Sequence, residues 1–125
     1  MPKLREAHLQ HAYYYLARTR LAHGLCRQGR EAFKHGLLKY DDEWTNVQGG
    51  FIWAAANAKE DDEAAKLTSD FSLGLVYYLD LRLGAKERAQ FEEVALASAR
   101  RLNLHGNVGA HLIGLGHDYV PTNSK

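Results

Sequence analysis

His8 and His11 head a short inventory of side chains that could do chemistry. Three residues apart on a helix, two imidazoles turn toward one side and could present themselves to a metal ion. No second segment offers a matching ligand pair, and an ordinary helix surface accounts for both. His105, His111 and His117 recur every six residues, which on a helix means successive rotations of about 240° and no shared face, so they form no ligand cluster. The spacing of Cys26 and His23 could place a thiol near an imidazole, as nucleophilic catalysis needs. No acid nearby in sequence orients the base, and a single cysteine on an amphipathic helix reads as core or as a quiet surface thiol. Asp41-Asp42-Glu43 and Glu60-Asp61-Asp62-Glu63 lack the oxygen spacing and glycine of a calcium loop and read as helix caps. These residues imply no catalytic group, no metal and no cofactor. Tyr13-Tyr14-Tyr15 spans about 200° of a helix, so at least one ring should reach the surface. With Trp53 these tyrosines make a candidate aromatic binding surface. A packed ring with a solvated hydroxyl is the plainer reading of each tyrosine. Trp44 and Trp53 point to opposite sides, so one should join the core and the other a seam between helices or subunits.

The elements that position these groups follow from composition. The 125 residues carry 16 Lys+Arg against 15 Asp+Glu, 46% hydrophobic residues and one cysteine. The two prolines are Pro2 and Pro121, and a proline-free run of that length suits a stack of uninterrupted helices. A charge of +1, with both signs mixed, gives no footprint for nucleic acid. The lone cysteine fits a reducing compartment. No apolar run of about 18 residues could cross a membrane, and the N-terminus is too charged for a signal peptide; the expected location is cytoplasmic.

Apolar periodicity predicts helices at about 3–28, 30–39, 41–58, 61–83, 86–103 and 107–119, all in one domain spanning 1–120, with a disordered tail at 121–125. Leu9, Tyr13, Leu16, Leu21 and Leu25 mark the first stripe. Phe91, Val94, Ala95, Ser98 and Leu102 mark the fifth helix, and Val108, Leu112, Leu115 and Tyr119 the last. The acidic run before Trp44 reads as a new helix start near Asp41, although the preceding helix could also continue through it with a bend. Gly49-Gly50 suggests a close neighbouring helix. The fold class is all-α, antiparallel hairpins stacked as a short array or a bundle, which periodicity alone does not separate.

Leu115-Gly116-x-x-Tyr119 resembles the first helix of a tetratricopeptide repeat, and Phe91-x3-Ala95-Leu96-x2-Ala99-Arg100-Arg101-Leu102 resembles the second helix of the repeat before it. The link Arg101-Leu102-Asn103-Leu104 falls where many such repeats read Arg-Leu-Gly-Asp. Three further blocks, Glu43-Trp44-x-Asn46-Val47-Gln48-x-Gly50-x-x-Trp53-Ala54, Glu60-Asp61-Asp62-Glu63-Ala64-Ala65 and Tyr78-x-Asp80-Leu81-Arg82, are similar to the segment leading into the repeats of STAND-type (NB-ARC) signalling NTPases. The resemblance covers roughly Glu6 to Tyr119. Arg88 and Glu92 stand where the repeat usually has a small residue and an aromatic. No Gly-x4-Gly-Lys-Ser/Thr occurs, so only the binding role of a helical sensor region transfers, not the ATPase.

The leading expectation is a non-enzymatic helical module that binds a protein or a second copy of itself. The terminal stripe Val108, Leu112, Leu115 and Tyr119 has no following helix in the chain. It should be folded back, swapped into a second subunit or left as an interaction patch, and a homodimer through it is expected. A second reading is a small-molecule-binding bundle with a pocket lined by Tyr13, Trp53, Tyr77 or Tyr78. A third is the remnant of a longer signalling protein.

Overall fold

The computed structural model describes the backbone of residues 2–123, with the side chains except those of 2, 76, 77, 80, 114 and 116–123. It is all helical: α1 (Pro2–Cys26), α2 (Arg30–Asn57), α3 (Asp62–Gly74), α4 (Val76–Arg82), α5 (Ala85–Arg101) and α6 (His105–Asn123). α1 and α2 form a long antiparallel hairpin, α5 packs on α3, and α6 packs on α5 and more lightly on α3. This is an all-α array of packed helices.

The hairpin turns at Gly29, whose φ of 123° is a conformation that glycine adopts without strain. Along the hairpin, His8 lies against Trp53, Arg18 pairs with Glu43, and Cys26 lies beside Gly36. The buried face of α1 is Leu9, Ala12, Leu16, Thr19, Ala22 and Cys26. Two members of the expected stripe, Tyr13 and Leu21, are exposed instead. Small residues displace them because the two helices come close. A Cβ on Gly36 would stand 2.6 Å from the Cys26 sulfur and 2.8 Å from the Ala22 carbonyl oxygen. At Gly50 it would stand 3.1 Å from the Phe71 ring and 3.4 Å from the Ala12 Cα, whereas Gly49 is exposed.

Two expected boundaries move. α2 runs unbroken through Asp41-Asp42-Glu43, so no helix starts there. Those acids serve as side-chain partners rather than caps: Glu43 accepts from Arg18 at 2.7 Å and Asp41 from Arg82 at 2.9 Å. Conversely, the expected helix 61–83 divides at Leu75 into α3 and α4. The Tyr40 hydroxyl donates to the Gly74 carbonyl at that division, and a Cβ on Gly74 would meet the Thr19 hydroxyl at 2.9 Å. The start of α3 is capped as acidic residues should cap it, with the Asp61 carboxylate accepting from the amides of Glu63 and Ala64. The α6 backbone continues through Pro121 to Asn123 rather than ending at Tyr119; 124 and 125 lie outside the described residues.

The main core gathers side chains from α1 to α4, with Tyr40, Phe51, Phe71 and Tyr78 at its aromatic centre. Trp44 joins it, 4.6 Å from the Tyr78 ring, and Phe91 brings α5 into it, 4.5 Å from the Phe51 ring. A second, smaller cluster of Ala89, Leu96 and Leu115, with Val108 packed on it, joins α5 to α6.

Candidate functional site

α3 presents two serines a helical turn apart toward α5 and α6, in a position where polar groups need partners because burial removes their water. Ser69 Oγ lies 2.7 Å from His111 Nε2 of α6. His111 Nδ1 lies 3.2 Å from Glu92 Oε2 of α5, and Ser72 donates to Glu92 Oε1 at 2.6 Å. The chain extends outward. Asn107 of α6 donates to Ser69 Oγ at 2.9 Å and to Asp70 Oδ1 at 3.3 Å, and Asp70 also receives Lys66 at 2.7 Å and Arg20 of α1 at 3.4 Å.

The donor order closes without conflict. A carboxylate at Glu92 only accepts, so the His111 Nδ1–H donates to it and Nε2 is left to accept from the Ser69 hydroxyl, whose oxygen takes the Asn107 amide. Serine on Nε2 and a carboxylate on Nδ1 is the contact order of a Ser-His-acid hydrolase triad. The surroundings differ from such a site. Ser69 and His111 are each 0% exposed. Ser69 lies inside α3, where backbone amides are engaged in the helix, and the turn around it offers no oxyanion hole. What the arrangement does is fasten α6 to α3 and α5.

Comparison with family models, curated proteins and solved structures found no match.

The residues singled out in the sequence are dispersed. In α6, Leu115 is buried and Val108 half-buried against α5, so that part of the expected interaction stripe is folded back. Leu112 remains exposed, as does its neighbour Ile113, and the Tyr119 side chain lies outside the described residues. Tyr13, Tyr14, Tyr15 and Trp53 form no single surface: the Tyr13 hydroxyl donates to Glu63 at 2.7 Å, Tyr14 is exposed, Tyr15 packs on the main core and Trp53 stacks on His8. Tyr78 is buried in the aromatic core rather than beside Tyr13 or Trp53, and the Tyr77 side chain lies outside the described residues. His11 packs on Tyr15, so His8 and His11 each rest on an aromatic ring. Cys26 is buried, its thiol donates weakly to the Phe33 carbonyl, and burial pushes its pKa up, away from a reactive thiolate.

An apolar groove of about 350 Å³ lies between α2 and α5. Ala55, Ala58, Ala97 and Ser98 line it together with Val94, Lys59, Glu93 and Arg101. Arg101 is fixed there, donating to the Ala58 carbonyl at 3.0 Å and pairing with Asp62 at 2.8 Å. Ile52, 61% exposed, stands one turn before Ala55.

The spacing of α6 already hinted at the buried network. His111 falls three residues after Val108 and four before Leu115, on the apolar stripe of its own helix. The six-residue recurrence of His105, His111 and His117 masks that signal.

Proposed function

We propose that this chain is a non-enzymatic helical interaction module that takes the helix or apolar side chains of a protein partner into the groove between α2 and α5. The observation that carries the reading is the groove itself, a line of small residues bordered by the exposed apolar Val94 and ended by the fixed charge of Arg101, with the exposed Ile52 one helical turn before Ala55. Helix-in-groove recognition uses this combination, in which small residues admit an apolar anchor and a charged rim sets register. The resemblance to the helical sensor region of STAND proteins agrees with such a role. The sealed surroundings of Ser69 and His111 favour binding over hydrolysis. Self-association through α6 belongs to the same proposal, in a form that respects the docking of Val108 and Leu115.

The test places a photo-crosslinking residue at Val94 in the full chain within its own cells and rebuilds any captured complex from purified components. The expected outcome is a defined complex that Ala97→Arg abolishes while leaving the melting temperature unchanged. A complex insensitive to Ala97→Arg, or none that can be rebuilt, would overturn the proposal.

A further inference from the structure

α6 is a helix that depends on the site it occupies. Its sequence holds four glycines, Gly106, Gly109, Gly114 and Gly116, and each lowers helix propensity by about 1 kcal/mol relative to alanine. Packing does not require the first two, since a Cβ at Gly106 or Gly109 would meet nothing within 4 Å. A helix of this length and composition is marginal in water, so docking is what keeps it formed. The docking is specific. The groove between α3 and α5 presents Ser69, Ser72 and Glu92, which demand an amide and an imidazole one turn apart, and α6 supplies them as Asn107 and His111. Left empty, the groove would hold a carboxylate with no imidazole beside it, a costly vacancy.

The connection to α5 is equally particular. α5 ends in a Schellman turn: the Leu104 amide donates to the Ala99 carbonyl at 2.9 Å and the Asn103 amide to the Arg100 carbonyl at 3.1 Å. Asn103 sits at the left-handed position of that turn with φ 58°, the one non-glycine residue with positive φ among the described residues. Glycine is the usual residue there, and asparagine tolerates the conformation less readily. Rotation of Asn103 into the right-handed region, with Leu104 following into helical geometry, would run α5 straight into α6 and carry α6 away from its own groove.

We propose that the α3/α5 groove is an interaction surface whose second occupant is α6 of another copy of this chain, exchanged through the Asn103 hinge to give a swapped homodimer. This rests on the self-association part of the proposed function and does not involve the α2/α5 groove. The partner is another copy because the groove selects the Asn107 and His111 pattern, and every contact that holds α6 in one molecule is reproduced when it is exchanged.

Sedimentation of three purified full-length chains tests the hinge. The wild type should show a dimer fraction that grows with concentration, and Asn103→Gly, which suits the closed turn, should reduce it. Asn103→Ala, which penalises the left-handed turn, should tighten dimerisation by about tenfold or more. Exchange itself is read with two singly substituted chains in an Asn103→Ala, Cys26→Ala background, one carrying Ser69→Cys and the other Asn107→Cys. The Asn107 amide meets the Ser69 hydroxyl at 2.9 Å, so in an exchanged pair the two thiols face each other across that contact and a mixture should give a covalent heterodimer on a non-reducing gel. The doubly substituted single chain, diluted below the dimer range, should close the same bond internally and is the control for reach. A folded Asn103→Ala chain that stays monomeric at high concentration overturns the proposal, and so does a dimer that yields no mixed disulfide. Either failure leaves the Val94 crosslinking result, and the reading it tests, unaffected.

Discussion

His111 and Glu92, on different helices, meet with Nδ1 3.2 Å from Oε2, and each is held on its other side by a serine of α3. The pair therefore binds three helices at once, and its energetic value lies in completeness. Removing the neutral imidazole leaves the Glu92 carboxylate and the Ser69 hydroxyl each short of a buried partner, a loss of about 1–3 kcal/mol for each group. His111→Ala should destabilise the chain by that order in urea titrations, with α6 losing protection from hydrogen exchange first. Ser69→Ala removes two bonds, the one to His111 and the one from Asn107, and should cost about 1–3 kcal/mol. A His111→Ala chain as stable as the wild type would refute the fastening role.

Gly36 and Gly24 make a paired prediction. At Gly36 the added methyl would meet the Cys26 sulfur at 2.6 Å and a backbone carbonyl that cannot step aside at 2.8 Å. Gly36→Ala should destabilise the hairpin by about 1–3 kcal/mol through overpacking. Nothing lies within 4 Å of a Cβ at Gly24. Gly24→Ala should stabilise by about 0.5–1 kcal/mol from helix propensity alone. Thermal unfolding of the two variants should move in opposite directions, and a common direction would contradict the close approach.

These glycines show how far the sequence could be read. Helical class was legible because a long proline-free chain with a 3.6-residue apolar period has few other folds available. The buried face of α1 was not, because periodicity weights large residues. The stripe of large residues turns Tyr13 and Leu21 inward, whereas Ala12, Thr19 and Ala22 line the contact. The choice depends on Gly36 and Gly50 of α2, a relation between helices that no single stripe contains. The acids at Asp41 and Glu43 follow the same logic: an acidic run before an apolar stripe has the pattern of a cap, and its true partners, Arg18 and Arg82, arrive from other helices. The candidate site was hidden most fully. Ser69, Glu92 and His111 come from three helices, and each looks like an isolated polar residue in its own segment.

Arg5 and Asp61 tie the start of α1 to the cap of α3 through two hydrogen bonds, at 2.8 and 3.0 Å. The guanidinium, helped by the amides of Ala64 and Glu63, holds the Asp61 carboxyl below its ordinary value. Stability from a depressed carboxylate is whole above the unfolded pKa of about 3.9 and is lost as pH falls through the lower folded value. Arg5→Met should therefore be less stable than the wild type at pH 6, and the difference should shrink toward pH 2. Urea midpoints at the two pH values decide it, and a constant difference would rule out the linkage. Because Arg5 is exposed, the effect is modest and should weaken further in high salt.

At the alkaline end the group to watch is Tyr13, whose pKa is pushed up to about 12 by burial of the ring first and by its hydrogen bond to Glu63 second. The phenol stays protonated longer in the folded chain than in the unfolded one, where it titrates near about 10. A raised folded value gives stability that is complete below about pH 10 and disappears as pH climbs through the folded pKa. Tyr13→Phe removes both the bond and the titration. It should be slightly less stable than the wild type at pH 8, by a small amount because Tyr13 is 46% exposed and water competes for its hydroxyl. The two curves should converge between pH 10 and 12, while absorbance titration loses one late-ionising tyrosine. Parallel stability curves, or an unchanged phenolate titration, would mean that the Tyr13 hydroxyl does not hold Glu63 in solution.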